Sequence, residues 1–92
     1  MKFRIEKSFE RDVDRIRDKR LLRKLRTFIS TIENAATIGE IPHIKKIEGY
    51  ESYYRMRIDE YRLGVEAVSI RDMVFVRFLH RKDIYRFFPK RR

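Results

Sequence analysis

At 92 residues the chain is expected to form one domain, spanning 1–92, with a core no larger than one layer of helices on one sheet. A hydrophobic fraction of 42% argues against disorder, and the lack of Cys excludes disulfides and thiolate metal sites. Lys and Arg number 24 against 14 Asp and Glu, and the resulting +10 attracts nucleic acid or an acidic protein while costing self-repulsion on folding.

In chain order, Phe3 and Ile5 alternate with charged neighbours and predict a short strand at 2–6. The same stretch lacks the apolar core of a signal peptide, and no apolar run approaches the roughly 20 residues of a membrane span. A cytoplasmic protein with no membrane partner is expected. Ser8 is placed to cap a first helix, in which Phe9, Val13 and Ile16 share one face. The apolar stripe changes phase around Asp18-Lys19-Arg20. A second helix follows through Leu21, Leu22, Leu25, Phe28, Ile29 and Ile32, ending near Ala36. Residues 41–49, with Pro42 and Gly49, read as a connection. From Tyr53 the period becomes two, predicting a three-stranded antiparallel meander with turns at Asp59-Glu60 and Ser69–Asp72 and a last strand at Met73–Leu79. Lys82–Phe88 reads as a short strand or helical turn stopped by Pro89, and Lys90-Arg91-Arg92 as a tail. The expected class is α+β: a short N-terminal strand, a two-helix hairpin and the meander, with the helices on one face.

Alternation assigns the faces. A two-residue turn at Asp59-Glu60 pairs Ile58 with Tyr61, Arg57 with Arg62, Met56 with Leu63 and Arg55 with Gly64. Opposed residues share a face, so Arg55, Arg57 and Arg62 fall together, while Met56, Ile58, Leu63, Val65 and Ala67 face the helices. Pairing Val68 with Met73 across the second turn adds Arg77 and Arg81 to the arginine face. It sends Val74, Val76 and Phe78 to the core and His80 away from the arginines, and it leaves Glu66 as the one carboxylate among them. The opposed Arg57 and Arg62 are like charges and should destabilise the pair, a cost expected where function requires it.

Fixed guanidinium groups suit phosphodiester chemistry, because they bind phosphate oxygens bidentately and keep their charge. When an RNA 2′-hydroxyl attacks its neighbouring phosphorus, such cations stabilise the charge that develops. Arg does not serve as general base. The acid–base candidates are His80, His43, Tyr85, Glu60 and Glu66. Among these His43 reads as exposed, Glu60 as a solvated turn residue and Glu66 as a partner for one arginine. Two separated histidines and no acidic cluster offer no metal-ligand set, and no cofactor motif is present.

The element order, together with Lys46-Ile47-Glu48-Gly49-Tyr50, Tyr54-Arg55-Met56-Arg57-Ile58, Tyr61-Arg62-Leu63 and His80-Arg81-Lys82-Asp83-Ile84-Tyr85, resembles the RelE/ParE superfamily of bacterial toxin–antitoxin toxins, RelE-like branch. The resemblance implies a metal-independent endoribonuclease that cuts mRNA in the ribosomal A site and is held in check by a cognate antitoxin. By position, Arg55 and Arg57 match basic residues that bind RNA and aid proton transfer. Arg62 and Arg81 match arginines that stabilise the phosphate, and Tyr85 a C-terminal tyrosine that orients substrate or moves a proton. Lys46, Arg77 and His80 complete the expected substrate contacts. Some relatives carry lysines where this chain has Arg55 and Arg57, and Glu48 stands where a basic residue can precede Gly-Tyr. Two other readings of the same features are a ParE-like, non-enzymatic inhibitor of DNA gyrase and a basic RNA-binding domain without turnover.

Overall fold

The computed structural model describes residues 1–89; the tail expected at Lys90-Arg91-Arg92 lies outside the described residues. The elements run β1 (Lys2–Ile5), α1 (Lys7–Asp14), α2 (Lys19–Asn34), a 3-10 turn (Ile38–Glu40), β2 (Ile44–Lys46), β3 (Tyr53–Ile58), β4 (Tyr61–Ser69), β5 (Asp72–His80) and α3 (Ile84–Phe87). Five strands form one sheet in the order β1-β5-β4-β3-β2, with β1 parallel to β5 and the other pairs antiparallel. The α+β class with two helices after an N-terminal strand is as expected. The sheet is wider than the meander by β1 and β2. Strand β2 falls inside the segment read as a connection, because three residues are too few to display alternation. Among the described residues no helix is long and apolar enough to cross a membrane.

The break between the helices is chemical. Asp18 caps α2, its Oδ1 accepting from the amides of Arg20 and Leu21 at 3.0 and 3.2 Å. Helix α2 then buries Leu21, Leu25 and Ile32 along one face. Helix α1 is capped differently from expectation. Glu6 occupies the cap position without a side-chain bond, and Ser8 Oγ instead donates to the carbonyl of Val76 at 2.6 Å. That bond belongs to the sheet edge. Strand β1 pairs with β5 only from Asp72 to Phe75, and beyond it the outer side of β5 is met by α1. Ser8 satisfies Val76 O, and Asp12, one helical turn later, accepts from Phe78 N at 2.9 Å.

The β3–β4 hairpin has the register that a two-residue turn dictates, from Ile58 opposite Tyr61 to Arg55 opposite Gly64. Asp59 adopts the left-handed conformation, φ +54°, which Asp tolerates better than most residues. Lys24 of α2 anchors the turn by donating to both Asp59 carboxylate oxygens at 2.9 and 3.0 Å.

The β4–β5 ladder follows expectation from Tyr61–His80 to Gly64–Arg77, then slips. Val65 sits opposite Phe75, which leaves Val76 bulged, and a second slip between Ala67 and Ser69 restores the register. The expected Val68–Met73 pair is therefore replaced by Ala67–Met73, and Val68 is exposed. The slip also changes which residues are inside. Met73 and Phe75 join Phe78 in the helix-side core with Phe9, Leu25, Met56, Leu63 and Val65, whereas Val74, though buried, lies outside that cluster and Val76, expected there, is only partly buried. Phe75 packs on Phe3 of β1, stacked at 4.5 Å, and on Phe9 of α1 at 5.5 Å.

Candidate functional site

On the face away from α1 and α2, β3 and β4 present Arg55, Arg57 and Arg62 together, as alternation predicts. Arg62 is the unusual member. It is only 9% exposed, and its Nη1 donates to the carbonyls of Asp59 and Tyr61 at 3.0 and 2.9 Å. None of the ion pairs among the described residues involves it. Burial holds its pKa below the ordinary arginine value. Repulsion from Arg57, then from Arg55, adds to this, and Arg81 contributes less, while Tyr85 acts in the opposite sense. Three arginines and Tyr85 therefore stand close enough to Arg62 to act on its charge.

Each reaches it differently. Arg55 and Arg57 are fixed by the β3 ladder. Arg81 follows the last residue of β5, and its amide donates to Glu60 O at 2.7 Å. Its Nε meets Glu60 Oε2 at 2.6 Å, an exposed pair, so Glu60 is an arginine partner and not merely a solvated turn residue. Tyr85, 58% exposed, stands on α3, the helical turn into which the C-terminal stretch folds.

The segment after Tyr85 covers the other half of this sheet face. Phe88 lies over Gly64, where an added Cβ would come within 2.6 Å of the ring, so the glycine is required by the close approach. Tyr53 meets Phe88 edge-on at 5.5 Å. Between α3 and the strands lies a cleft of about 660 Å³ lined by Glu66, Arg77, Tyr85 and Phe87, among others.

Of the expected substrate contacts, Arg77, His80 and Lys46 are engaged or placed otherwise, and Glu66 does not hold an arginine as expected. Arg77 is on the arginine side but held by Asp12, Nε to Oδ2 at 2.8 Å and Nη2 to Oδ1 at 2.9 Å. Glu66, expected to hold an arginine, makes none of the ion pairs among the described residues. His80 lies opposite Tyr61 with the two rings edge-on at 5.6 Å, and its Nδ1 accepts from the amide of Lys82 at 3.1 Å, so it is a strand-end cap. Lys46 lies opposite Tyr54, whose ring packs on the core, while its neighbour Lys45 lies opposite Arg55. Lys45 is thus the β2 cation that shares the arginine face. Its signal was present in the sequence as one of two adjacent lysines, but no pattern in so short a strand selected between them. His43, the remaining histidine, sits in a left-handed conformation, φ +62°, beside α2.

Comparison with known proteins accords with this geometry. The family profile of the ParE toxin of the type II toxin–antitoxin system parDE matches residues 3–85. Toxin RelE3 of Methanocaldococcus jannaschii is 36% identical over 90 residues, covering 97% of this chain and all of that protein. The toxin in a RelB–RelE antitoxin–toxin complex from Methanococcus jannaschii superposes with a TM-score of 0.75 at 33% identity, over 94% of this chain and 99% of that one. YafQ from E. coli strain BL21(DE3) shares the fold alone, with a TM-score of 0.61 at 16% identity, over 90% of this chain and 96% of its own. A match over nearly the whole length, by profile and by relatives alike, means that this chain belongs to the RelE/ParE superfamily of type II toxin–antitoxin toxins.

Proposed function

We propose that the chain is a RelE-like mRNA interferase, a toxin that cuts ribosome-bound message at the arginine cluster without a metal ion or cofactor. The observation that carries the reading is Arg62, a nearly buried cation with no carboxylate partner among the described residues, on the same sheet face as Arg55 and Arg57 and within electrostatic reach of Arg81 and Tyr85. A buried unpaired charge is costly to a fold, and an incoming phosphate would relieve that cost.

In the proposed reaction the 2′-oxygen of RNA forms a bond to the adjacent phosphorus as the bond to the 5′-oxygen breaks. The products are a cyclic phosphate and a 5′-hydroxyl. Arg62 and Arg81 stabilise the phosphate oxygens, and Arg55 and Arg57 hold the neighbouring backbone. The 2′-hydroxyl must lose a proton and the leaving oxygen must gain one. Apart from arginine, Lys45, Tyr85 and Glu60 are ionisable groups on or beside this face; Tyr85 takes the acid–base role because it acts on Arg62, whereas Glu60 holds Arg81 and Lys45 lies opposite Arg55. The partner is a cognate antitoxin, as in the RelB–RelE and DinJ–YafQ complexes whose toxins share this fold, and an acidic wrapping segment would suit the +10 charge.

The test is cleavage of translated message in a cell-free system, with 5′ ends mapped to codons. Cuts inside translated codons, lost in Arg62→Ala and Arg81→Ala, support the reading. Inhibition of gyrase supercoiling with intact message would replace it by the ParE-like one. Salt-sensitive RNA binding with neither effect would leave a plain RNA-binding domain.

A further inference from the structure

Arg77 is kept out of the cluster by its partners, and those partners form a line from α1 to α3. Asp12 is 4% exposed, and the bonds of its carboxylate converge on β5: two from the Arg77 guanidinium and one from the amide of Phe78. A guanidinium gripped at Nε and Nη2 has its plane fixed. On that plane, Cζ lies 5.1 Å from the centre of the Phe87 ring. Phe87 ends α3, two residues beyond Tyr85, and remains 48% exposed, so burial alone does not hold its ring there.

A four-residue helical turn is too short to hold its own shape in water. Tyr85 is therefore presented by a segment fastened from outside. Ile84, fully buried next to Tyr85, and Phe88 over Gly64 root it in the sheet, and Phe87 adds a second kind of fastening over Arg77. The second fastening depends on a carboxylate that belongs to α1.

We infer that Asp12 and Arg77 are positioning residues for Tyr85. The carboxylate holds the guanidinium flat, and the guanidinium holds Phe87 and with it the orientation of α3 toward Arg62. The inference rests on Tyr85 acting at the arginine cluster as proposed above. A purely structural role would be the sealing of the β5 edge by Asp12 and Ser8, and that role makes no use of Phe87. Lysine at position 77 would keep the charge opposite Asp12 but supplies neither the fork nor the flat face.

The test uses the full chain carrying Phe87→Ala, Arg77→Lys or Asp12→Asn, the last retaining an oxygen for the Phe78 amide. Message cleavage on ribosomes is separated into kcat and KM, corrected for the folded fraction measured by circular dichroism. In parallel, Tyr85 is replaced by 3-fluorotyrosine and its fluorine signal recorded. Each variant is expected to lower kcat about 10- to 10²-fold at nearly constant KM, and to shift the fluorine signal toward that of the free amino acid. Phe87→Trp, which keeps a ring over the guanidinium, restores both. An unshifted fluorine signal in folded Phe87→Ala, or unchanged kcat, overturns the inference. A wild-type chain that cuts no message defeats the proposed function alone, and the fluorine signal then decides the positioning role by itself.

Discussion

Two arginines on adjacent strands, Arg62 of β4 and Arg77 of β5, lie on the same side of the sheet and are treated in opposite ways. Arg77 has both carboxylate oxygens of Asp12 and an aromatic ring against it, and the fold neutralises it. Arg62 has two backbone carbonyls for one of its nitrogens and three other arginines acting on it. One end of the face is a finished piece of structure, and at the other only Arg81 has a carboxylate partner among the described residues. The contrast separates arginines that the fold uses from arginines that the fold tolerates. Residue type and sheet face are alike, yet the deeper of the two, Arg62, is the one without a carboxylate partner among the described residues.

Mutation should expose that contrast. The largest effect is expected for Arg62→Ala, which should cut message cleavage about 10²–10³-fold while costing at most about 1 kcal/mol of stability, since it also removes an unpaired buried charge. Single-turnover cleavage beside urea unfolding measures both. A large loss of stability would mean that Arg62 is structural like Arg77. Asp12→Ala should behave the other way round, losing about 3 kcal/mol because it strands both the Arg77 charge and the Phe78 amide; an unchanged unfolding midpoint would refute the pairing. Gly64→Ala drives a methyl against the Phe88 ring and should cost about 1–3 kcal/mol, with hydrogen exchange rising in residues 84–88. The smallest effect belongs to Glu60→Gln, since the Arg81 pair is exposed. Stability should move by less than about 1 kcal/mol, while RNA affinity at low salt rises a few-fold, read by titration with a labelled strand.

What the sequence made legible follows the same physics. The hairpin at Asp59-Glu60 could be read because alternation is strict on both sides of a two-residue turn, and it brought Arg55, Arg57 and Arg62 together before any coordinates. The bulge at Val76 could not be read, because Met73-Val74-Phe75-Val76 is apolar throughout and period two has no contrast there. Asp12 gave no sign of its role, since its partner Arg77 lies 65 residues away and a helical carboxylate looks solvated until a strand edge meets it. Lys45 and Lys46 were indistinguishable for want of a longer strand. The local rules therefore recovered the cluster, while the contacts that hold its surroundings came from the tertiary fold.

The way α1 closes the outer side of β5 has a consequence for how these molecules keep apart. A nine-residue strand with half of one side open would invite another chain to zip onto it. Side chains of a helix occupy those groups instead, which leaves only the four-residue β1 and the three-residue β2 as outer rungs of the sheet. Both are too brief to template a neighbour, so self-assembly is discouraged by the shortness of what is left uncovered.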